Sequence, residues 1–582
     1  MVLVAIVTYN GLEWIDRLLQ PFVLDSDGLE IVVVDNASTD GTPDAISERY
    51  PFVRVVRRRT NLGFGAANNL FIDEVLTKEY RGIYLLNQDA SIEASAIREL
   101  ADYADYHKEI GILSPKHLNE SGEVEQGFAH YLPTIEATGF TQVPFINAAH
   151  WYLPYRTLLS TGGFSPLFYH YGEDLDFTHR VLAVGLQVGY LPHVTAYHFR
   201  RIDQPSHEKE LWLKQTYHLA QLVNPLLPRW KRIFRGIVAP LGESITRPEL
   251  FRMVRSLYAQ RKVVQLWNNR PPFDLEGLKR AVQRQEFSPV LLFVYNRPNH
   301  TKRILEQILS QPEAEQTPIY VYSDGAKSSA DSANVQAVRA LCRSYEGITL
   351  VEQPTNVGLA RNVIQGVSTL LQQYDRVIVL EDDLYLSPYF LRWMNDALER
   401  YAESKEVAHL HAGTFYTHPH LQHNHALRYV GSWGWATWRD RWEQYWEPDG
   451  TKLLLELEAR PKERKRFDYR GFMKFTRMLR RQTEGANDSW AVRWHASLLL
   501  RGKLSINSTP PLSANGGFDG SGTHSGGGGR YWTPVSPFPL YAGDDMPTSE
   551  SREALSILQH YYMRTNNKVM KGWYKLKELL GR

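Results

Sequence analysis

The sequence has a single cysteine, Cys342, in 582 residues. That excludes an intrachain disulfide framework and a cysteine-rich zinc module, and it fits a reducing compartment. Charge of either sign is not in excess: 66 Lys and Arg face 64 Asp and Glu, a formal net charge of +2. A general nucleic-acid binder would be more lopsided, so no nucleic-acid partner is expected. No stretch reaches the roughly 18 consecutive apolar residues that cross a bilayer. Met1 leads straight into Val2-Leu3-Val4-Ala5-Ile6-Val7, with no basic segment and no small-residue cleavage site. This run reads as a buried strand rather than a signal sequence. The expectation is a soluble, cytoplasmic protein. Hydrophobic residues at 43% and charged residues at 22% exclude a wholly disordered, collagenous or coiled-coil chain.

What is present begins with length. At about 100–200 residues per domain, the chain should hold two to four domains. Aromatic residues are 12%, with 15 Trp and 32 Tyr. Such rings stack on sugars or bases, or pack cores.

An internal repeat organises the chain. Apolar strands at 2–7, 31–34, 53–56 and 83–86 alternate with helical patterns. They end in Thr8-Tyr9-Asn10, Asp35-Asn36-Ala37-Ser38-Thr39-Asp40-Gly41-Thr42, Asn61-Leu62-Gly63-Phe64-Gly65 and Asn87-Gln88-Asp89. The same order returns in strands at 290–294, 319–322, 348–351 and 377–380. These end in Tyr295-Asn296-Arg297-Pro298, Ser323-Asp324-Gly325, Asn356-Val357-Gly358 and Glu381-Asp382-Asp383. Tyr9 to Tyr295, Asp35 to Asp324, Asn61 to Asn356 and Asp89 to Asp383 are offset by 286, 289, 295 and 294 residues. Alternating strands and helices argue a parallel sheet with helices on both faces. The period is far too long for a solenoid, so the chain reads as two copies of one α/β architecture.

Between the copies, residues 229–262 carry nine Lys and Arg against Glu243 and Glu249, with Trp230, Phe234, Ile237 and Val238 interleaved. This reads as a helical connector with one basic face. A second basic-aromatic helix is expected from Tyr561 to Leu580. Either rests on an anionic membrane, at the inner face of the plasma membrane, or is a solvated face of a packed helix. Asn515–Gly529 holds eight Gly and His524. It reads as a flexible loop and a candidate lid.

Ligands of open α/β sheets bind beyond the carboxyl ends of the strands. Asp35 there can accept hydrogen bonds from a base or ribose. Asp89 can hold a divalent cation that in turn holds a diphosphate. Either Asp can equally be a helix N-cap. Glu173, Asp174 and Asp176 crowd three acids into four residues, which suits a cation or a proton, or else a helix start. His198 ends a strand-like run and is a candidate metal ligand or a structural histidine.

These residues, with Gly162-Gly163-Phe164 and Tyr171-Gly172-Glu173-Asp174, closely resemble inverting family 2 glycosyltransferases of the rhamnosyl- and galactofuranosyltransferase-like branch. The resemblance covers about residues 1–220. It implies the A-type nucleotide-sugar-binding fold. It also implies donor binding by Thr8, Tyr9, Asn10, Asp35, Asn61, Gly63 and Asn87, with Asp35 on the nucleoside. Asp89 and His198 would serve a metal and the diphosphate, and Asp174 would be the base that deprotonates the acceptor. Asn87-Gln88-Asp89 keeps one carboxylate where many members have two or more.

The second copy carries three adjacent carboxylates, Glu381-Asp382-Asp383, whose repulsion a Mn or Mg ion would relieve. Downstream lie Trp433-Gly434-Trp435-Ala436, a sugar-stacking platform or a core wedge, and Asn487-Asp488-Ser489-Trp490. About 287–545 is similar to enzymes related to N-acetylglucosaminyltransferase I. That resemblance implies donor contacts by Tyr295, Asn296, Arg297, Asp324, Asn356, Gly358, Glu381 and Asp382. It implies a metal on Asp383, a general base in Asp488 and a lid residue in His524.

The expectation is therefore two tandem A-type glycosyltransferase domains: 1–220, a basic helical connector 221–286, 287–545, and a helical tail 546–582. The expected activity is bifunctional, inverting and cation-dependent. It moves sugars from nucleotide-diphospho-sugars to a glycan or lipid-linked acceptor in polysaccharide synthesis. The rival for one copy is a non-catalytic carbohydrate-binding scaffold. A dehydrogenase rests only on Gly63-Phe64-Gly65, which follows the third strand and not the first. A pyrophosphorylase lacks its Gly-rich, Lys-bearing phosphate loop.

Overall fold

Apolar, β-branched runs buried on both sides form the centre of two sheets. The computed structural model describes residues 1–582 apart from 79, 135–137, 200–205, 417, 419–420, 422–423, 518–532, 544–546 and 567–582. It divides into two compact units, Met1–Gln283 and Arg284–Arg582.

Unit 1 holds strands β1 (Val2–Thr8), β2 (Leu29–Asp35), β3 (Arg54–Arg57), β4 (Gly82–Asn87), β5 (Ala90–Ser91), β6 (Ile110–Leu118), β7 (Thr141–Gln142), β8 (His150–Pro154) and β9 (Gln187–His198). The order is β3-β2-β1-β4-β8-β6-β9-β5, with β7 also on β9. The first four are parallel and β8 is antiparallel to β4. Period-2 alternation divides β1 between two faces. Val2, Val4 and Ile6 join a core with Leu18, Ile46, Ile97 and Leu100 from the flanking helices. The edge strand β3 reads Arg-Val-Val-Arg, and such charge discourages pairing with another chain.

Unit 2 holds β10 (Val290–Val294), β11 (Ile319–Ser323), β12 (Ile348–Glu352), β13 (Arg376–Glu381), β14 (Leu384–Leu386), β15 (Val407–His411), β16 (Asn424–Leu427), β17 (Trp435–Trp438), β18 (Leu504–Ser508) and β19 (Ser513–Asn515). Its main sheet runs β12-β11-β10-β13-β17-β15-β18-β16, and β14 pairs with β19. Seven strands of unit 1, β3 through β9 in that order, have counterparts at the same places; β7 corresponds to β16, and β5 to β14, which pairs with β19 apart from the main sheet. The repeat therefore extends past the four strands legible in the sequence. The long β9 corresponds to β18 and β19 together. Pro510 and Pro511 stand at the break, where the missing N–H groups cannot feed a ladder.

The segment 229–283 is helical, as its pattern suggests, and it packs within unit 1. The Asn268 amide donates to the Leu222 carbonyl at 3.2 Å, and His218 Nδ1 contacts the Arg235 carbonyl at 2.9 Å. The tail forms a helix, Arg552–Asn566, whose Leu558 and Tyr562 are buried beside Phe415 and Tyr469 in unit 2. The rest of that expected helix, and His524 in the Gly-rich loop, lie outside the described residues. No helix among the described residues is long and apolar enough to cross a membrane.

Candidate active sites

Strand register gathers the unit 1 residues at one edge. Thr8 pairs with Asp35 across β1 and β2, and Val7 with Asn87 across β1 and β4. The buried Asp35 carboxylate accepts from the Thr8 hydroxyl at 3.2 Å and from the Ser38 N–H at 3.0 Å. Asn10 bends the chain at φ 48°, and its side-chain carbonyl accepts the Thr39 N–H at 2.8 Å. The Tyr9 N–H donates to Gln88 Oε1 at 2.9 Å, leaving the ring half exposed to a ligand. Gly63 is required twice over. Its φ is +76°, and a Cβ there would lie 2.1 Å from the Tyr169 carbonyl oxygen. The Tyr169 hydroxyl donates to the Asn61 carbonyl at 3.3 Å. The Asn61–Gly63 turn is thereby held against the segment leading to Asp174.

The acidic cluster separates into three roles. Asp176 is buried and pairs with Arg180 at 2.9 Å, a structural contact. Asp174 is half-buried in the first turn of the helix Glu173–Ala183, where the helix dipole favours a carboxylate. Glu173 is buried, its Oε2 has no hydrogen-bond partner among the described residues, and its pKa is pushed up to about 8 by burial and then by Asp174. The sequence marked this cluster, but not that burial would push up the Glu173 carboxyl within it.

Asp89 follows β4, and His198 pairs with Ala90 across β5 and β9. His198 Nε2 stands 3.7 Å from Asp89 Oδ1. Burial alone would lift the Asp89 carboxyl, but the imidazole pulls it below the ordinary carboxylate range. Among the described residues the buried His198 Nδ1 has no partner. Two ligands each about 2.1 Å from one ion stand about 3–3.5 Å apart, so at 3.7 Å the pair would have to close by a few tenths of an ångström to share a divalent cation. Among the described residues no group of three His, Cys, Asp or Glu is placed to hold a metal.

Unit 2 repeats this edge with different contacts. The Asp324 carboxylate accepts the N–H groups of Gly325 and Val357 at 2.8 Å and of Gly358 at 3.0 Å, and the Asn356 amide at 3.2 Å. It clasps the ends of β11 and β12. The Tyr295 hydroxyl accepts the Lys327 N–H at 2.9 Å, and Asn296 donates to Asp331 at 2.8 Å. Arg297 hydrogen-bonds Asp382 and lies 3.5 Å from Asp383. Burial and the two aspartates push Glu381 up to about 8. Burial also raises Asp382 to about 6, with Arg297 opposing it. Among the described residues no partner reaches the buried Asp383 Oδ1, a fit to a cation.

Asn515 pairs with Leu384 across β14 and β19, as His198 pairs with Ala90. The Phe199 N–H donates to the Asp89 carbonyl at 2.8 Å, and the Gly516 N–H to the Asp383 carbonyl at 2.7 Å. Asn515 thus occupies the His198 position, a match invisible before the strands are paired. A Cβ on Gly517 would sit 2.6 Å from Asp383 Oδ2, so the Gly-rich segment begins against this carboxylate. Asp488 is 63% exposed at its side chain and lies 3.3 Å from Arg493. Trp435 is core, stacked 4.9 Å from Trp490.

The two sheets share one strand order and carry acids at corresponding strand ends. Residues 3–147 and 290–445 each match glycosyl transferase family 2. The chain belongs to that family, and it carries two tandem A-type domains. A curated relative, the N-acetylglucosaminyl-diphospho-decaprenol L-rhamnosyltransferase of Mycobacterium tuberculosis, is 27% identical over 234 residues, 34% of this chain and 75% of that protein. Among solved structures, S. aureus TarS 1-349 with UDP-GlcNAc is 17% identical over 48% of this chain and 91% of that one, with a TM-score of 0.32. GalNAc-T7 with UDP, GalNAc and Mn2+ is 14% identical over 39% and 52%, with a TM-score of 0.30.

Proposed function

We propose that the chain is a bifunctional inverting glycosyltransferase with one donor site per unit. Each site takes a sugar from a nucleotide diphosphate to a hydroxyl of a glycan acceptor. The observation that supports this most is the shared register of Asp89 and Asp383 at the ends of corresponding strands. Asp35 and Asn61 receive the nucleoside in unit 1, while Asp324, clasped by four donors, shapes the matching pocket in unit 2. Asp89 and His198 would hold a Mn or Mg ion in unit 1, and Asp383 would do so in unit 2. Such an ion, when bound, neutralises diphosphate charge as the bond to the sugar breaks.

Asp174 accepts the acceptor proton as the hydroxyl attacks, a contribution of about 10²–10⁴-fold. Burial pushes the neighbouring Glu173 carboxyl up to about 8, which separates its chemistry from that of a base. Asp488 takes the base role in unit 2. A single displacement inverts the anomeric centre, so one carboxylate per site suffices. The rhamnosyltransferase relative is named for a lipid-linked N-acetylglucosaminyl acceptor. We assign unit 1 an acceptor of that class, met at the cytoplasmic face of a membrane in cell-envelope polysaccharide synthesis.

A second reading makes unit 2 a carbohydrate-binding scaffold. Arg297 lying among its acids and the exposure of Asp488 favour that reading. The test is transfer from a panel of nucleotide-sugars with Mn or Mg, the product's anomeric configuration being read by NMR. Inverted products support the mechanism, and retained configuration overturns it.

A further inference from the structure

The helical run Arg229–Glu243 is the most unusual surface of unit 1. Its apolar residues recur at helical spacing: Trp230, Ile233, Phe234, Val238 and Leu241, followed by Ile245. Such a stripe normally faces a core. Here it faces solvent: Trp230 is 65% exposed and Ile245 83%. The opposite side does the packing. Gly236 and Pro240 are buried, and a Cβ on Gly236 would lie 2.2 Å from Leu222 Cγ. The next helix, Leu250–Ala259, adds Phe251 at 59% and Tyr258 at 55% exposure.

Charge identifies the occupant. Arg229, Lys231, Arg235, Arg252 and Arg255 are exposed along the same segment. Its two acids are already paired: Glu243 with Lys214 at 3.0 Å, and Glu249 with Arg247 at 3.0 Å. The Lys231 ammonium lies 5.3 Å from the Trp230 ring centre. Exposed apolar residues with an aromatic anchor, flanked by cations, are the composition of an interfacial helix. A second copy of this chain would bring the same cations together, whereas anionic headgroups neutralise them. We infer that residues 229–258 dock unit 1 on an anionic lipid bilayer, the apolar stripe entering the interface and the arginines contacting headgroups. This inference does not depend on the assignment of donor or base.

The test is flotation of the full chain with vesicles of phosphatidylcholine alone or with about one-third phosphatidylglycerol, in low and high salt. No donor or acceptor is present, so the result is independent of whether the chain transfers sugar. The account expects at least about tenfold stronger binding to anionic vesicles at low salt, because headgroup attraction is screened. Trp230→Ser with Phe234→Ser, both exposed, should weaken it about tenfold with an unchanged melting temperature. Arg229→Glu with Arg235→Glu should abolish the preference for anionic lipid. Binding that ignores lipid charge, or variants that float like the wild type, would overturn the proposal. So would absence of binding, including the case in which the wild type is a dimer that Trp230→Ser with Phe234→Ser converts to monomer.

Discussion

His198 Nε2 stands 3.7 Å from Asp89 Oδ1, across the short pairing of β5 with β9. One residue comes from the end of the fourth strand and the other lies more than a hundred positions later. Only the return of β9 to the donor edge brings them together. In unit 2 the same return brings Asn515 to Asp383. The two edges therefore share a frame, with Asn515 standing where unit 1 has His198.

The first prediction concerns that pair. His198→Ala should weaken Mn-dependent nucleotide binding to unit 1 by at least the about 10–100-fold that an outer-shell partner is worth. Titration calorimetry with Mn2+ and a nucleoside diphosphate measures it. Unchanged affinity would remove His198 from the site.

Asp174→Asn should lower kcat of the first transfer by about 10²–10⁴-fold and leave the donor KM near its original value. Glu173→Gln should keep much of the activity at neutral pH, because that carboxyl, with a pKa of about 8, already carries its proton. The opposite ranking in steady-state assays would exchange their roles.

Asp324 is the clasp of unit 2. Asp324→Ala strands the N–H groups of Gly325, Val357 and Gly358. At about 1–3 kcal/mol per buried unsatisfied group, partly relieved by water, a loss of about 2–4 kcal/mol in urea unfolding is expected. A change under about 0.5 kcal/mol, the range of ordinary surface substitutions, would show that the loop does not depend on it.

Acid should destabilise unit 2 through its buried histidines. Burial depresses His409 from 6.5 to about 3, and His411 and His495 to about 4. Between pH 6.5 and 4 the unfolded chain binds protons that the folded chain refuses. The histidine contribution is then full above 6.5 and is lost as pH falls through that window, while the raised carboxyls of Glu381 and Asp382 contribute in the opposite sense. Tryptophan fluorescence during denaturation of the Glu381→Gln, Asp382→Asn variant, repeated from pH 7.5 to 4.5, isolates the histidine part. Stability of that variant independent of pH there would contradict the burial of neutral imidazoles.

Much of the fold was legible because it is written locally. Val2–Val7 and Val377–Leu380 are apolar runs, and the residues after them are polar and turn-forming. The later strands were not legible. β7 and β16 are two and four residues long, too short for periodicity to register. Asn515 lacks the chemistry that marks His198, so only pairing identifies it. Trp435 illustrates an ambiguity of composition, since a tryptophan that stacks on sugar and one that stacks on Trp490 look alike in sequence. The protonated state of Glu173 depends on burial by Gly65 and its neighbours, a tertiary property.

The central claim is two working sites in one chain. The most direct test is transfer from a panel of nucleotide-sugars with Mn or Mg, comparing wild type with Asp89→Ala, Asp174→Ala, Asp383→Ala and Asp488→Ala. The account predicts that the first two variants lose one donor sugar and the last two lose another. If Asp383→Ala and Asp488→Ala transfer every donor as the wild type does, unit 2 is not a transferase and the claim fails.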